Sequence, residues 1–195
     1  TTPGKRDHLI DGLLARPEFI DYWAYKWSDL LLVNSDKLPV VPMWSYYQWI
    51  RRQVELNTPW ADFARDLLTA TGSTLENGAG NFFILHDEPT KLSETVSVAF
   101  LGMAINCAKC HNHPMEKWTN DQYYAFANLF SRVRSKNGGA ADERVIFADT
   151  TGDLVQPLRG RPQPPTPLDA KPVSLTSPED RRVPLGLLLD AGAGI

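Results

Sequence analysis

The residues best able to do chemistry in this chain are two cysteines and a histidine, in the order Cys107-x-x-Cys110-His111. At this spacing both thiols can add to the vinyl groups of one porphyrin, and the adjoining imidazole can bind its iron as the proximal ligand. The 195 residues contain only 2 cysteines, so none is left for packing or for other disulfides. The pattern therefore predicts haem c, attached covalently at Cys107 and Cys110 with His111 on the iron.

Three other uses of this cysteine pair stay open. Zinc could be bound by Cys107, Cys110 and His113 with His8 or His86, although structural zinc sites usually bring a second cysteine pair; the domain would then be a zinc-binding interaction module. A thioredoxin-like redox pair is expected within a βαβ unit, whereas helices are predicted on both sides of this motif. A plain disulfide has equally little support.

The ligand on the opposite face of the iron decides which haem chemistry is available. The candidates are the other histidines and the three methionines: His8, His86, His113, Met43, Met103 and Met115. His86 is favoured because a full predicted helix separates it from the motif and gives it reach, with an open or water-bound face as the alternative. His113 precedes a proline, so we expect it to orient the loop or contact a haem propionate, or else to bind another metal or a neighbouring haem.

Iron with two protein ligands suits electron transfer, whereas an open face lets peroxide, oxygen or another small molecule bind. The leading hypothesis is a monohaem c-type cytochrome domain that passes single electrons outside the cytoplasm, to a redox protein partner or within a larger electron-transfer assembly. The alternative is a haem enzyme, peroxidase-like or a small-molecule oxidoreductase, whose distal pocket could include Arg51, Arg52 or Arg65.

The composition limits the class of protein. With 43% hydrophobic residues and a net charge of -3, the chain can bury a core and has no basic tract for nucleic acid. No apolar run approaches the ~20 residues that cross a bilayer, so no transmembrane segment is predicted. The chain begins at Thr1 without Met, which we interpret as a processed or trimmed product.

Hydrophobic periodicity predicts helices through the first two thirds of the chain, four of them before residue 71. The second should begin at Pro17 and face the core with a stripe of apolar residues: Ile20, Trp23, Trp27, Leu30 and Leu31. The glycine-rich residues 72–81 are predicted to be a loop. Another helix begins at Pro89, and its apolar stripe continues to Cys107, which predicts that this helix presents the motif.

Beyond the motif, Thr119-Asn120-Asp121-Gln122 has the form of a capping box that starts a helix. The buried face of this helix should run from Tyr123 to Val133. Two short strands are then predicted as a hairpin, at residues 144–147 and 153–156.

The end of the chain is rich in proline, with eight of the 15 prolines beyond residue 150, which predicts an extended arm. The expected fold is mainly α. An irregular helical domain surrounds the haem over residues 1–136, and a short β-hairpin and Pro-rich C-terminal arm follow over residues 137–195.

Several of these residues carry a family resemblance. The string Cys107-Ala108-Lys109-Cys110-His111-Asn112-His113-Pro114, preceded by Phe100-Leu101-Gly102-Met103 and followed by Trp118 and Tyr123-Tyr124, resembles the planctomycete cytochrome-type domain family, DUF1549 (PSCyt2-like). The C-x-x-C-H-x-H-P string with a downstream Trp and Tyr is far more specific than C-x-x-C-H alone.

The resemblance implies a periplasmic or otherwise extracytoplasmic protein of a planctomycete-like bacterium, with a c-type haem and a poorly defined biochemical role. It extends over nearly the whole chain, from residues 9–14 to Ser177-Pro178-Glu179-Asp180-Arg181-Arg182. In similar proteins a second domain, DUF1553, follows that stretch. Here the chain continues only to Ile195, so no function of that domain is transferred.

Overall fold

Four helices fill the first 70 residues, as the periodicity predicts. The computed structural model describes residues 4–185, and its first helices are α1 (Lys5–Leu14), α2 (Pro17–Leu30), α3 (Val40–Glu55) and α4 (Trp60–Leu68). Pro17 stands at the start of α2, where a missing amide hydrogen costs nothing because no helical partner is available there. α2 packs along α3.

The buried side of α2 differs from the predicted one. Ala24 and Ser28 are its buried residues, and Leu31 at its end is fully buried, whereas Trp23 is 44% exposed and Leu30 37%. Small side chains at the contact let two helices approach closely, and a hydrophobicity pattern does not register them. The prediction of a core-facing stripe is therefore wrong for Trp23 and Leu30.

The glycine-rich residues 72–81 are built into the fold rather than forming a surface loop. Gly72–Ser73 is a short strand, β1, and Gly78–Gly80 is a buried 3₁₀ turn. A Cβ atom placed on Gly78 would lie 2.2 Å from the carbonyl oxygen of Ser45 in α3. Glycine is needed at Gly78 because the two backbones touch there.

The helix that was expected to present the motif stops short of it. α5 (Asn81–Leu85), which the sequence pattern did not indicate, is followed by α6 (Pro89–Leu101). Gly102 ends α6 in a left-handed conformation at φ 64°, a common helix stop. The apolar stripe does continue towards Cys107, but the helix does not.

The sheet pairs different segments from those predicted. After α7 (Asn120–Ala127), β2 (Val133–Asn137) pairs antiparallel with β3 (Arg144–Ala148). β3 also pairs with β1, so the strand order is β1-β3-β2. Val133 is thus in a strand rather than in α7, and the domain boundary predicted after residue 136 falls within β2.

The second predicted strand has another partner. β4 (Val155–Gln156) pairs with β5 (Arg161–Pro162) in a separate two-stranded sheet. The hairpin is therefore formed by β2 and β3, and the prediction that residues 153–156 pair with residues 144–147 is wrong.

The proline-rich segment ends inside the helical body. Arg182 is fully buried; its Nη1 donates to the carbonyl oxygen of Ala70 at 3.0 Å, its guanidinium lies 5.0 Å from the centre of the Phe83 ring, and Asp180 pairs with it at 2.6 Å. The chain beyond Leu185, including the apolar tail up to Ile195, lies outside the described residues. Within residues 4–185 no helix is both long and apolar enough to cross a membrane.

The contact at Gly78 can be tested with a pair of glycine variants. We expect Gly78→Ala to lower the free energy of unfolding by about 2 kcal/mol or more, because the added methyl group overlaps backbone. In Gly12→Ala nothing lies within 4 Å of the new Cβ, so a gain of roughly 0.5–1 kcal/mol from helix propensity is expected. Urea unfolding measures both, and equal stability of the two variants would contradict the described packing.

Candidate functional site

The two cysteines lie on a 3₁₀ turn between α6 and α7. The turn spans Asn106–Lys109, and we call residues 106–110 the cysteine turn. Both thiols are free and exposed. Cys107 lies within the 3₁₀ helix and Cys110 is the residue that ends it, so the two thiols are three residues apart on one short element, the spacing of the c-type haem attachment motif.

The imidazole of His111 is held with one nitrogen available. Its Nδ1 lies 2.7 Å from the carbonyl oxygen of Asn112. Because a carbonyl oxygen can only accept, Nδ1 carries the hydrogen and Nε2 keeps its lone pair. Metal-binding histidines are typically oriented by such a bond to a backbone carbonyl. The exposed side chain of His111 can thus bind iron through Nε2.

His113 has the opposite arrangement, although it is only two residues away. Its Nδ1 accepts hydrogen bonds from the backbone N–H groups of Met115 at 3.2 Å and Glu116 at 2.9 Å. The neutral ring then carries its hydrogen on Nε2 and has no free lone pair for a metal. His113 also donates its own backbone N–H to the carbonyl oxygen of Trp118 at 2.8 Å. It closes the loop, which is the loop-orienting role expected from its position before a proline.

The start of α7 is hydrogen-bonded to the cysteine turn. The capping box at Thr119 and Gln122 is confirmed, with both reciprocal hydrogen bonds present. Asn120, which follows Thr119, donates from Nδ2 to the carbonyl oxygens of Ala108 and Lys109, each at 2.8 Å. Sequence reasoning missed Asn120; the only local signal is an asparagine, a modest helix former, at the first position of a helix.

Two tyrosines of α7 border the turn. Burial, and to a lesser degree the nearby Cys110, raise the pKa of Tyr124. Tyr123 donates to the Glu94 carboxylate at 2.5 Å, and Lys109 lies 3.6 Å from the same carboxylate. Burial first, and then Glu94, raise the pKa of Tyr123 well above its usual range. Glu94 therefore connects α6 to both α7 and the cysteine turn.

An apolar cleft of about 410 Å³ adjoins the turn between α2 and α6. Ile105 and Asn106 line it next to the cysteines, and Leu30, Leu32 and Val98 supply apolar walls. These three side chains are between 37% and 52% exposed. The surface that adjoins the cysteine turn at Ile105 and Asn106 is thus largely apolar.

His86, the predicted distal ligand, lies in the protein interior at the end of α5. It is 5% exposed, its ring meets the Phe82 ring edge-on at 4.9 Å, and its Nδ1 is 3.5 Å from Thr95 Oγ1. Nε2 has no hydrogen-bond partner among residues 4–185. Burial lowers the pKa of His86 to about 4, so its imidazole is neutral and chemically able to bind iron, but no hydrogen bond or ring contact joins it to the motif within the described chain.

The remaining distal candidates are scattered over the structure. His8 is exposed on α1, Met115 is 86% exposed, and Met43 and Met103 pack against the core. None is hydrogen-bonded to His111 among the described residues. The second axial ligand therefore stays a prediction.

The donor set of the described residues fits haem better than zinc. Within residues 4–185, no three His, Cys, Asp or Glu side chains are grouped to hold a metal ion, whereas a structural zinc site takes four protein ligands. A porphyrin supplies four nitrogens of its own and needs only an axial ligand from the protein. Nε2 of His111 can supply that axial ligand, and the two free thiols can supply the covalent attachment.

The comparisons bear on the same region. The model of one family, described as PSCyt2, a protein of unknown function (DUF1549), matches residues 1–135. The chain belongs to the DUF1549 family. The DUF1549 match includes the cysteine turn and the whole of α7 and ends within β2. No curated protein and no solved structure matches the chain.

The buried state of His86 predicts a pH-dependent stability. Its pKa is near 6.5 in the unfolded chain and about 4 in the folded protein, so between these values only the unfolded chain takes up the proton. The His86 contribution is therefore fully present above pH 6.5 and is lost as the pH falls towards 4. We expect the wild type to lose roughly 2–3 kcal/mol more than His86→Gln over this interval.

Urea unfolding at about pH 7 and about pH 4 measures this difference. His8→Gln is the matched control, because it removes an exposed imidazole, and it should keep the wild-type pH dependence. Parallel pH profiles for the wild type and His86→Gln would show that the His86 ring is hydrated in the folded protein.

Proposed function

We propose that this DUF1549 chain carries one haem c, attached at Cys107 and Cys110 with His111 as the proximal ligand, and transfers single electrons outside the cytoplasm. The observation that carries the proposal is the conjunction of two free, exposed thiols three residues apart in the cysteine turn with an adjoining His111 whose Nδ1 is bonded to Asn112. These are the groups that a covalently attached haem uses.

The protein's contribution would be attachment and orientation. When bound, haem supplies an iron centre that alternates between two oxidation states one electron apart. Cys107 and Cys110 would fix the porphyrin, and Asn112 would keep the His111 ring in the tautomer that binds iron. Because Cys107, Cys110 and His111 are exposed, a redox protein partner could approach the site directly. His86 stays the proposed distal ligand, with an open face as the alternative.

The structure gives no support to the enzyme alternative through its arginines. Arg51 pairs with Asp21 at 2.8 Å, Arg52 lies 3.6 Å from Glu55, and Arg65 bonds Asp62 within α4. All three guanidinium groups are thus engaged by carboxylates on α2, α3 and α4. Electron transfer is therefore the proposal, and small-molecule chemistry is an outcome of the test.

Covalent attachment is tested by producing the chain in a host with a cytochrome c maturation system. After washing with acidified acetone, we expect the wild type to keep a c-type pyridine haemochrome spectrum. Cys107→Ser/Cys110→Ser should lose the haem completely, because no thioether can form. A colourless wild type from a host that matures a control cytochrome c would rule out the haem proposal and would call for a zinc assay.

The roles of the two histidines can be separated in the same host. His111→Ala should abolish the wild-type axial ligation in the visible and electron paramagnetic resonance spectra, since its Nε2 binds iron. His113→Ala should keep that ligation, because Nδ1 of His113 is used as an acceptor for two backbone N–H groups. Loss of ligation in His113→Ala with retention in His111→Ala would reverse the assignment.

Electron transfer itself is distinguished from catalysis by two measurements on the haem-loaded wild type. A redox titration should follow a reversible one-electron Nernst curve. Peroxide should leave the spectrum unchanged if two protein ligands hold the iron, whereas rapid formation of a peroxide-derived species would favour the enzyme alternative.

A further inference from the structure

A relay of buried side-chain amides joins the cysteine turn to the C-terminal third of the chain. Asn120 is 5% exposed and Gln156 1%; Gln156 Nε2 donates to Asn120 Oδ1 at 2.6 Å. Gln156 Oε1 in turn accepts from Gln163 Nε2 at 2.6 Å. The contact between Asn120 and Gln156 spans 36 residues of sequence, so neither residue could have been paired with the other from local patterns.

Each of the first two amides uses both of its donor hydrogens and accepts one hydrogen bond at its oxygen. Both hydrogens of Asn120 Nδ2 go to the carbonyl oxygens of Ala108 and Lys109, and its Oδ1 receives Gln156. Gln156 Nε2 also donates to Asp121 Oδ1 at 2.6 Å. An amide with two donor hydrogens and an acceptor oxygen all engaged has a single orientation. The relay is therefore stiff where it meets the turn.

The backbone of Asn120 adds a further contact with the motif. Its N–H donates to Asn112 Oδ1 at 3.0 Å, and Asn112 is the residue whose carbonyl oxygen orients His111. Asn120 thus contacts the chain both between the two cysteines and directly after His111. No other described residue donates side-chain hydrogen bonds to the backbone carbonyls of the cysteine turn.

The far end of the relay is anchored in charge pairs. Asn128 Nδ2 donates to the carbonyl oxygen of Gln163 at 2.6 Å, and Asn128 Oδ1 lies 3.4 Å from Arg181 Nη1. Arg181 is 2% exposed and pairs with Asp153 at 2.7 Å. A buried charge pair is costly to break, so this end of the relay is fixed.

We infer that Asn120 and Gln156 are positioning residues of the proposed haem attachment site, and that this site extends through Gln156 and Gln163 beyond the family match at residues 1–135. The inference rests on the proposed function. Without Gln156, Asn120 Oδ1 loses the hydrogen bond donated by Gln156 Nε2 that orients the Asn120 amide. The two carbonyl groups between the cysteines are then released to solvent. The relative placement of Cys107 and Cys110 then relaxes.

The geometry of the two thiols can be measured without haem, in the folded full chain. The reaction is one protein dithiol with one oxidised glutathione, giving the Cys107–Cys110 disulfide and two reduced glutathione molecules. Its equilibrium constant depends on how closely the turn holds the sulfurs to disulfide geometry. Loss of stability alone does not change this constant while the protein stays folded. The constant therefore reports how the turn positions the two thiols.

We expect Gln156→Met to lower this constant by about tenfold, the equivalent of one or two net hydrogen bonds lost from the folded turn. Methionine keeps the length of the side chain and adds no charge. Gln48→Met on the exposed face of α3 is the matched control and should leave the constant unchanged. Asn120→Asp tests the hydrogen bonds to the turn themselves, because it keeps the acceptor for Gln156 but loses both donor hydrogens to the turn.

A second measurement uses the haem-loaded protein. The midpoint potential should shift in Gln156→Met and Asn120→Asp, and it should stay at the wild-type value in Gln48→Met. Unchanged disulfide constant and unchanged potential in both relay variants would overturn the inference, even if those variants were less stable. If Gln156→Met does not fold, the result for Asn120→Asp decides.

The outcomes also separate the inference from the proposed function. If the wild type takes up no covalent haem but the relay variants change the disulfide constant, the haem proposal fails and the positioning role stands. If haem attaches normally and neither readout responds to the relay variants, the haem proposal stands and the positioning role fails.

Discussion

The hydrogen bonds from Asn120 to the carbonyl oxygens of Ala108 and Lys109 are the constraint on which the candidate site depends. The cysteine turn is a short 3₁₀ element isolated between loops, so no following helical turn supplies N–H donors for its carbonyl groups. A donor from elsewhere in the chain must take the place of those N–H groups. The first residue of α7 does so, and the capping box at Thr119 fixes where α7 begins. The site is therefore organised by a helix start rather than by a helix that carries the motif.

The C-terminal segment is held by buried polar contacts in addition to the apolar contacts of Leu168 and Leu185 with the core. Its proline-rich sequence has few large apolar side chains to bury, but Arg181 and Arg182 are 2% and 0% exposed. Burial of a guanidinium is tolerated only when the charge is paired and hydrogen-bonded. Asp153 and Asp180 supply the pairing, and the carbonyl oxygens of Ala70 and Leu175 supply further acceptors. This explains how a segment of extended chain packs against a helical body.

The two histidines of the motif show how one side-chain type acquires two roles. His111 donates from Nδ1 to a carbonyl oxygen, which leaves Nε2 with a lone pair. His113 accepts at Nδ1 from two N–H groups, which places the hydrogen on Nε2. Because an imidazole has one hydrogen for two nitrogens when neutral, these hydrogen bonds determine which ring can serve as a ligand. Hydrogen bonds with the local backbone thus leave a free ring nitrogen on His111 and none on His113.

The sequence alone was sufficient for features set by neighbouring residues: the four helices before residue 71 and the capping box at Thr119. The chemistry of the C-x-x-C-H motif stays a prediction. Periodicity and caps are local, so they can be recognised without a fold. Only the tertiary structure decided the partner of β3, the buried side of α2, and the contact of Asn120 with Gln156. Each of these depends on which distant backbone or side chain comes within bonding distance, and on small residues or exact donor positions that hydrophobic patterns do not record.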